Sequence, residues 1–133
     1  MGKSELQSIA KTMWRQIVGT VGFSVPMSWG ISAMYAVERE CRDGMLCPCL
    51  MIFTNGLLHT GWVCVAYNEG VDTYEVSLLD ENANYKEWHT NLFFDELGFK
   101  IDSLVERKDE WTDDEYHSKA MADSDKKMAE EYG

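Results

Sequence analysis

Four cysteines and three histidines are the residues of this chain that could bind a metal, form disulfides or pair a nucleophile with a base. The cysteines are Cys41, Cys47, Cys49 and Cys64, with the spacing C-x5-C-x-C-x14-C. Structural zinc sites use closely paired cysteine knuckles, and thiol oxidoreductases use C-x-x-C. The spacing predicts neither. We expect buried free thiols, because free cysteine packs as a small apolar residue and a reducing cytosol keeps it reduced.

Catalytic chemistry is not indicated by the other polar residues. His59 and Cys64 lie five residues apart on one predicted strand, so regular pleating places them on opposite faces and argues against a Cys–His pair. The acidic pairs, such as Asp95-Glu96, are explained by the positive end of a helix dipole. No phosphate-binding glycine loop, nucleophile elbow or dinucleotide fingerprint occurs. The sequence therefore predicts no catalytic residue, no metal ligand and no cofactor.

Length and charge narrow the class of protein further. The chain has 133 residues, of which 45% are hydrophobic, and a net charge of −11. Residues 1–50 carry +1, whereas residues 51–100 and 101–133 carry −6 each. This acidity argues against direct nucleic-acid binding. The chain also lacks an apolar run of about 18 residues for a membrane span and a secretory signal, so we expect a cytoplasmic protein.

The elements expected to position these residues form one α+β domain, with a core over about 4–107 and an acidic helix or tail over 108–133. Ser4 and Gln7 predict a capping box at the start of an amphipathic helix that ends near residue 21. A three- to four-stranded antiparallel meander follows over 50–90, with residues 32–38 left open as a short helix or an edge strand. A second amphipathic helix is predicted near 94–107. Thr112 and Glu115 predict a capping box for a polar last helix.

Turn chemistry predicts the register of the meander. An Asn55-Gly56 turn of type I′ would pair Thr54 with Leu57, and a three-residue loop at 68–70 would pair Tyr67 with Val71. The resulting apolar face is the predicted core: Met51, Phe53, Leu58, Trp62, Cys64, Ala66, Tyr74, Val76 and Leu78. The opposite face is half apolar, so either a second element covers part of it or it is a contact surface, at Leu50, Ile52, Val63, Val65 and Tyr67.

Two hypotheses of function follow. The first is a non-enzymatic protein-interaction module whose acidic second half meets a basic protein surface, such as that of a nucleic-acid-binding protein. Its candidate residues are the five of the half-apolar face together with Asp109, Glu110, Asp113, Asp114 and Glu115. A homodimer through the half-apolar face is compatible with this hypothesis. The alternative is a small enzyme or ligand-binding protein with a pocket between sheet and helices, near Trp62, Tyr74 and Trp88.

Several short motifs support this fold by resemblance. Asn55-Gly56, Gly61, the run Asn68–Tyr74 and Phe94-Asp95-Glu96-Leu97 resemble those of small uncharacterised bacterial proteins associated with mobile elements, over roughly residues 45–107. The resemblance implies a hairpin, an Asn-Glu-Gly turn and a helix that starts at Phe-Asp-Glu-Leu, in a bacterial cytoplasmic protein. It implies no catalytic residues.

Overall fold

A computed structural model describes residues 2–132, so the ends of the predicted domain 1–133, Met1 and Gly133, lie outside the described residues. The fold is α+β, as predicted, and its sheet has five strands rather than three or four. A short 3-10 turn at Phe94–Glu96 leads into α3. In chain order the other elements are α1 (Lys3–Val21), α2 (Ser24–Met27), β1 (Ala33–Glu40), β2 (Leu46–Asn55), β3 (Thr60–Asn68), β4 (Thr73–Leu79), β5 (Tyr85–Leu92), α3 (Leu97–Val105) and α4 (Asp113–Tyr132).

The sheet is an antiparallel meander in which each strand pairs with the next, in the order β1-β2-β3-β4-β5. The additional strand is β1, which settles the stretch left open between a helix and an edge strand. It pairs with β2 without interruption from Ala33 opposite Phe53 to Glu40 opposite Leu46. The edges of the sheet are therefore β1 and β5.

The first turn of the meander is longer than predicted. Gly56–His59 form a four-residue loop that places Thr54 opposite Gly61, where Leu57 was expected. Gly56 does not have the positive φ of a type I′ turn. It is packed against the end of α3, where an added Cβ would lie 2.3 Å from the carbonyl oxygen of Val105. The glycine is thus required because the backbone of α3 lies very close to it. The register differs from the predicted one by four residues, and because four is even, the residues of β2 and β3 keep their predicted faces.

The second turn changes the faces. β3 ends at Asn68 and β4 begins at Thr73, so the loop has four residues and pairs Tyr67 with Tyr74 instead of Val71. The Asn68 side chain accepts a hydrogen bond from the Gly70 N–H at 3.0 Å, and the positive φ falls on Asp72. Because this shift is odd, Tyr74, Val76 and Leu78 lie on the face opposite to the one predicted.

The principal core lies on the half-apolar face, for which the sequence left open either cover by a second element or a contact surface. Helices α1 and α3 pack on this helix-covered face, which consists of Leu50, Ile52, Val63, Val65, Val76 and Leu78. Complete burial of an aliphatic side chain stabilises the fold by about 1.5–3 kcal/mol. The prediction that Met51, Phe53, Trp62 and Cys64 share a face is confirmed, but that face is not the principal core. We call it the thiol face: Cys47, Cys49, Met51, Phe53, Trp62, Cys64, Ala66 and Leu79.

Helix α1 reaches its position by close contact with α3. Gly98 lies against α1, where a Cβ would meet Val21 Cγ1 at 2.7 Å and the Ile17 carbonyl oxygen at 3.0 Å. The capping box predicted from Ser4 and Gln7 is wrong, because α1 begins at Lys3 with Gly2 as its N-cap residue and no side-chain cap.

The connector between α1 and β1 is anchored by Trp29. Its side chain is fully buried, and its Nε1 donates to Asp102 Oδ1 at 2.9 Å. The Asn55 N–H donates to the Trp29 carbonyl oxygen at 2.9 Å. These bonds join the connector to both α3 and the end of β2.

The last helix lies against the rim of this core through polar contacts. Thr112 Oγ1 accepts the Glu115 N–H at 3.1 Å, which confirms Thr112 as the predicted cap. Lys127 Nζ donates to the Asn55 carbonyl oxygen at 3.0 Å, while Met121 and Met128 are exposed. None of the helices within residues 2–132 combines the length and apolar character needed to cross a bilayer.

Candidate functional site

One concavity of the structure is a groove of about 690 Å³ between α1 and the edge strand β1. This volume is within the range of about 300–1,000 Å³ that is usual for ligand sites. We call it the α1–β1 groove. It is lined by Lys3, Gln7, Ala10, Lys11, Trp14, Arg15, Met34, Tyr35, Ala36 and Leu50.

The helical side of the groove follows from residue spacing. Lys3, Gln7, Lys11 and Trp14 recur at intervals of three or four residues and therefore share one side of α1. This side lies next to the apolar stripe that buries Ala10, Met13 and Ile17 in the core. The groove is thus a polar flank of the helix beside an apolar floor.

The floor of the groove comes from alternate residues of two paired strands. Ala36 lies opposite Leu50 and Met34 lies opposite Ile52, so all four project toward the helix-covered face. Leu50 is buried, whereas Met34 is 42% exposed, because β1 is an edge and α1 covers only part of it. The groove is therefore the place where the helical layer leaves the sheet incompletely covered.

The groove carries positive charge, whereas the chain as a whole is strongly negative. Lys3, Lys11 and Arg15 line it. Within the part of the chain that the structure describes, none of the three forms an ion pair. A second, smaller depression along α1 is also lined by Lys11 and Arg15. Against a net charge of −11, these cations form a local site of opposite sign.

The predicted sheet surface does not form an exposed site in the folded chain. Leu50, Ile52, Val63 and Val65 are buried under α1 and α3. Tyr67 is half-buried at the sheet end and donates to Asp72 Oδ1 at 2.6 Å, which raises its pKa to about 12. Only Leu50 of these five lines the α1–β1 groove.

The predicted acidic residues lie together at the start of α4 and in the loop before it. Asp109, Glu110, Asp114 and Glu115 are exposed. Asp113 pairs with Arg107, which holds the pKa of that carboxyl below its usual range. Their position at the positive end of a helix dipole is a sufficient structural reason for most of them. They remain available to a partner in solution.

The thiol face departs from the expectation of four free cysteines. Cys41 and Cys47 form a disulfide across the loop between β1 and β2, with a Cα–Cα distance of 6.2 Å. Cys49 and Cys64 are free and buried. The register of β2 and β3 places Met51, and not another cysteine, opposite Cys64. Cys49 Sγ donates to the Cys47 carbonyl oxygen at 3.3 Å. The neighbouring Cys64 side chain, together with burial, raises the pKa of Cys49, and the Cys49 side chain lowers the pKa of Cys64.

Side chains from opposite corners of the sheet cover these thiols. Arg39 on β1 donates from Nε to Tyr85 Oη at 2.9 Å, across the face from β5. Its guanidinium lies 4.9 Å from the Tyr85 ring centroid, and Tyr85 stacks on Trp88 at 4.3 Å. A strongly twisted sheet brings diagonal corners toward one another in this way. The thiol face is therefore covered by its own residues.

The pocket predicted near Trp62, Tyr74 and Trp88 is not formed by those residues. Trp62 packs against Phe53 and Tyr35 on the thiol face, with ring centroids 5.1 and 5.7 Å apart. Tyr74 lies on the other face beside Tyr67. A cavity between sheet and helix does exist, but at the α1–β1 groove. Sequence reasoning did not assign Met34 and Tyr35 to a site, and it did not place Lys11 and Arg15 beside them. The polar residues that recur along one side of α1 were the available signal.

The histidines remain apart from these groups. His59 is buried in the β2–β3 loop with Nε2 3.2 Å from the Trp62 carbonyl oxygen, and burial lowers its pKa. His89 lies 3.0 Å from Glu87 on β5. Among residues 2–132, no group of three or more His, Cys, Asp or Glu side chains is arranged to hold a metal ion.

The fold and the groove define an acidic α+β domain with one positively charged apolar groove beside a sheet edge. Comparison with known proteins finds no matching protein family, curated protein or solved structure. The function is therefore inferred from the groove and the surface themselves.

Proposed function

We propose that this protein is a non-enzymatic protein-interaction module that binds its partner in the α1–β1 groove. The observation that carries the proposal is the meeting of an apolar floor, three cations and an exposed strand edge at one place. Interfaces combine an apolar centre with a polar rim in the same manner. The cations at the rim favour an acidic partner.

A photo-crosslinking amino acid placed at Met34 tests this proposal in producing cells. Position 99 is the matched control, since Phe99 is also an exposed apolar residue but lies on α3, outside the groove. We expect a discrete crosslinked protein from position 34, absent from position 99 and lost on adding Lys11→Glu and Arg15→Glu. Identical crosslinking from both positions, or none from position 34, contradicts the proposal.

A second candidate is the binding of a small anionic amphiphile in the same groove. Its support is the volume of about 690 Å³ together with the pairing of cations and apolar floor. Native mass spectrometry of protein purified from producing cells distinguishes the two candidates. A stoichiometric mass increment that disappears in the Lys11→Glu, Arg15→Glu variant favours the small ligand. A protein without an increment favours the interaction module.

A further contact with a basic protein surface is proposed for the acidic start of α4. All five of its candidate residues are exposed, and electrostatic association of this kind weakens as salt increases. Binding to a basic partner should fall when Asp109, Glu110, Asp114 and Glu115 are neutralised. Binding that is unchanged by neutralisation, or insensitive to salt, contradicts this contact.

The cytoplasmic setting is kept as a proposal and has a direct test at Cys41 and Cys47. Disulfides persist in oxidising compartments and are rare in the cytosol. Alkylation of free thiols during rapid acid lysis, followed by intact-mass measurement, counts the thiols present in the cell. Four alkylated cysteines support a cytoplasmic protein, whereas two indicate that the Cys41–Cys47 bond of the structure is formed in the cell.

A further inference from the structure

The α1–β1 groove is bordered by a strand whose backbone can also bind. β1 pairs with β2 through eight consecutive residues with no register shift. On its other side β1 has no partner strand in the described sheet. In such an edge strand every second residue directs its N–H and C=O groups outward, where an extended chain can pair with them.

The other edge of the sheet lacks this regularity. The pairing of β5 with β4 is shifted twice, between Tyr74 and Val76 and again between Leu78 and Leu79. Asn91 in β5 has a φ of 58°, a left-handed conformation that interrupts an extended strand. Irregularities of this kind are a known protection of sheet edges against pairing. The irregular β5 is therefore a poor site for pairing with another strand, whereas the regular edge of β1 can accept one.

The side chains of β1 protect only one of its halves. Glu38, Arg39 and Glu40 place charges at its C-terminal end, whereas residues 33–37 are Ala-Met-Tyr-Ala-Val, without a charge or a proline. The uncharged half contains Met34, Tyr35 and Ala36, which line the groove. The unprotected part of the edge and the groove are therefore the same place.

The cations on α1 define the chemistry of the incoming chain. Successive side chains of a strand alternate between the two faces of the sheet. Those on the helix side would meet Lys3, Lys11 and Arg15, whereas those on the other side would lie beside Tyr35. Carboxylates at alternate positions would pair with the cations, and apolar residues between them would extend the thiol face.

A second copy of this chain fits the edge less well than an acidic segment does. Two copies that pair through antiparallel β1 strands are related by an axis perpendicular to the joined sheet, so both α1 helices lie on the same face. Lys11 and Arg15 of one copy would then be turned toward those of the other. Like charges brought together at an interface oppose association.

From this geometry we infer that an extended acidic segment of a partner protein adds to β1 as a sixth strand and fills the α1–β1 groove. The inference rests on the proposed function and specifies the class of partner. The segment has about eight residues, since β1 spans eight and a strand rises about 3.3 Å per residue. Main-chain hydrogen bonds to β1 supply affinity, and the cations supply selectivity.

A displayed library of random twelve-residue peptides, panned against the full chain, is the first experiment. Peptides that also bind the Lys11→Glu, Arg15→Glu variant are removed at each round. We expect enriched sequences that alternate acidic with β-branched or aromatic residues at period two and lack proline. Apolar residues at helical spacing, basic consensus sequences, or no consensus overturn the inference.

Backbone methylation of the enriched peptide separates strand addition from side-chain docking. Two isomers are made, one N-methylated at odd positions and the other at even positions. An added strand uses only every second N–H, so we expect one isomer to lose binding by at least tenfold and the other to retain it. Equal affinities for both isomers overturn strand addition but leave the groove as an interaction site.

Matched variants complete the test by fluorescence titration of the labelled peptide. Lys11→Glu should weaken binding by about tenfold, whereas Lys126→Glu, an equal charge change on exposed α4, should change it by less than twofold. Equal effects of the two variants contradict groove binding. Light scattering of the peptide-free protein tests the second copy as occupant, and a dimer that the peptide does not dissociate overturns the inference.

Discussion

The two faces of the sheet are similarly apolar but are covered by different means. On the helix-covered face, Ile52, Val63 and Val65 are completely buried by residues from α1 and α3. On the thiol face, burial depends on aromatic side chains, Arg39 and the loops that carry Cys41 and Ala83. The two faces are therefore buried to a similar extent. A packed layer of helices covers the helix-covered face, whereas individual side chains cover the thiol face. The helix-covered face should contribute most of the folding stability. On the thiol face, single substitutions should change the access of solvent to the buried thiols.

The largest expected effect separates the two faces by stability. Ile52→Ala should lower the free energy of unfolding by about 3 kcal/mol, because it leaves a cavity under the helices. Tyr35→Ala on the adjacent strand, whose side chain is 57% exposed on the other face, should cost less than about 1 kcal/mol. Urea denaturation measures both. Equal losses would show that the thiol face contributes as much as the helical layer.

The helical layer itself can be tested with two glycines. Gly98→Ala should destabilise the fold by about 1–2 kcal/mol, because overpacking against Val21 and Ile17 outweighs the helix propensity of alanine. Gly19→Ala is the control, since its Cβ would meet nothing within 4 Å, and it should stabilise by up to about 1 kcal/mol. Thermal unfolding of both variants shows whether each substitution stabilises or destabilises the fold. A stabilising Gly98→Ala would contradict the close α1–α3 contact.

The cover of the thiol face should be removable without unfolding the protein. Arg39→Ala deletes the side chain that joins β1 to Tyr85 and Ala83, so Cys49 and Cys64 should react with a maleimide several-fold faster. Arg42→Ala is the matched control, because the Arg42 contact with Glu75 is made by its backbone N–H. Reaction rates at constant pH provide the comparison. Unchanged reaction rates in Arg39→Ala would show that the Arg39 side chain does not limit the access of the maleimide to Cys49 and Cys64.

The smallest effect concerns a buried carboxyl at the edge of the helical layer. Burial raises the pKa of Glu106, whose carboxylate accepts the Leu57 N–H at 3.0 Å. A carboxyl with a raised folded-state pKa binds more protons when folded, so its contribution to stability increases as pH falls through that pKa toward the unfolded value. Glu106→Gln keeps an acceptor for Leu57 and removes the charge. The Glu106→Gln variant should be more stable than the wild type at neutral pH. This difference in the free energy of unfolding should decrease as the pH falls toward 4.5, the ordinary pKa of a glutamate.

Stability curves of the wild type and Glu106→Gln measured from pH 7 to 4 provide this difference directly. His59 is unchanged in both proteins, so its lowered pKa affects the two curves equally. A difference that stays constant with pH would show that Glu106 is not protonated more readily in the folded state.

Local patterns predicted the elements well where neighbours in sequence decide them. The helix that ends near residue 21, the antiparallel meander and the cap at Thr112 are confirmed. The turns were harder to predict. Gly56 was interpreted as a type I′ residue, but its actual constraint is the carbonyl oxygen of Val105, 49 residues further along the chain. No local pattern contains that contact.

The candidate site shows the same division. The polar flank of α1 and the positive balance of the first fifty residues are visible in the sequence, and they supplied the cations of the groove. The error of three residues at the second turn, in contrast, exchanged the faces of β4. The choice of core face depends on where α1 and α3 pack, which the alternation of apolar residues on both faces leaves undecided.

The sequence by itself determined an acidic α+β domain, an antiparallel meander and its principal helices, because hydrophobic period and capping act over a few residues. Only the tertiary structure decided which face is buried, which cysteines pair and where the groove opens. These outcomes depend on contacts between distant segments: α1 with Gly98, Val105 with Gly56, and Arg39 with Tyr85. Such contacts are selected by packing and sheet twist, and neither is encoded in any short run of residues.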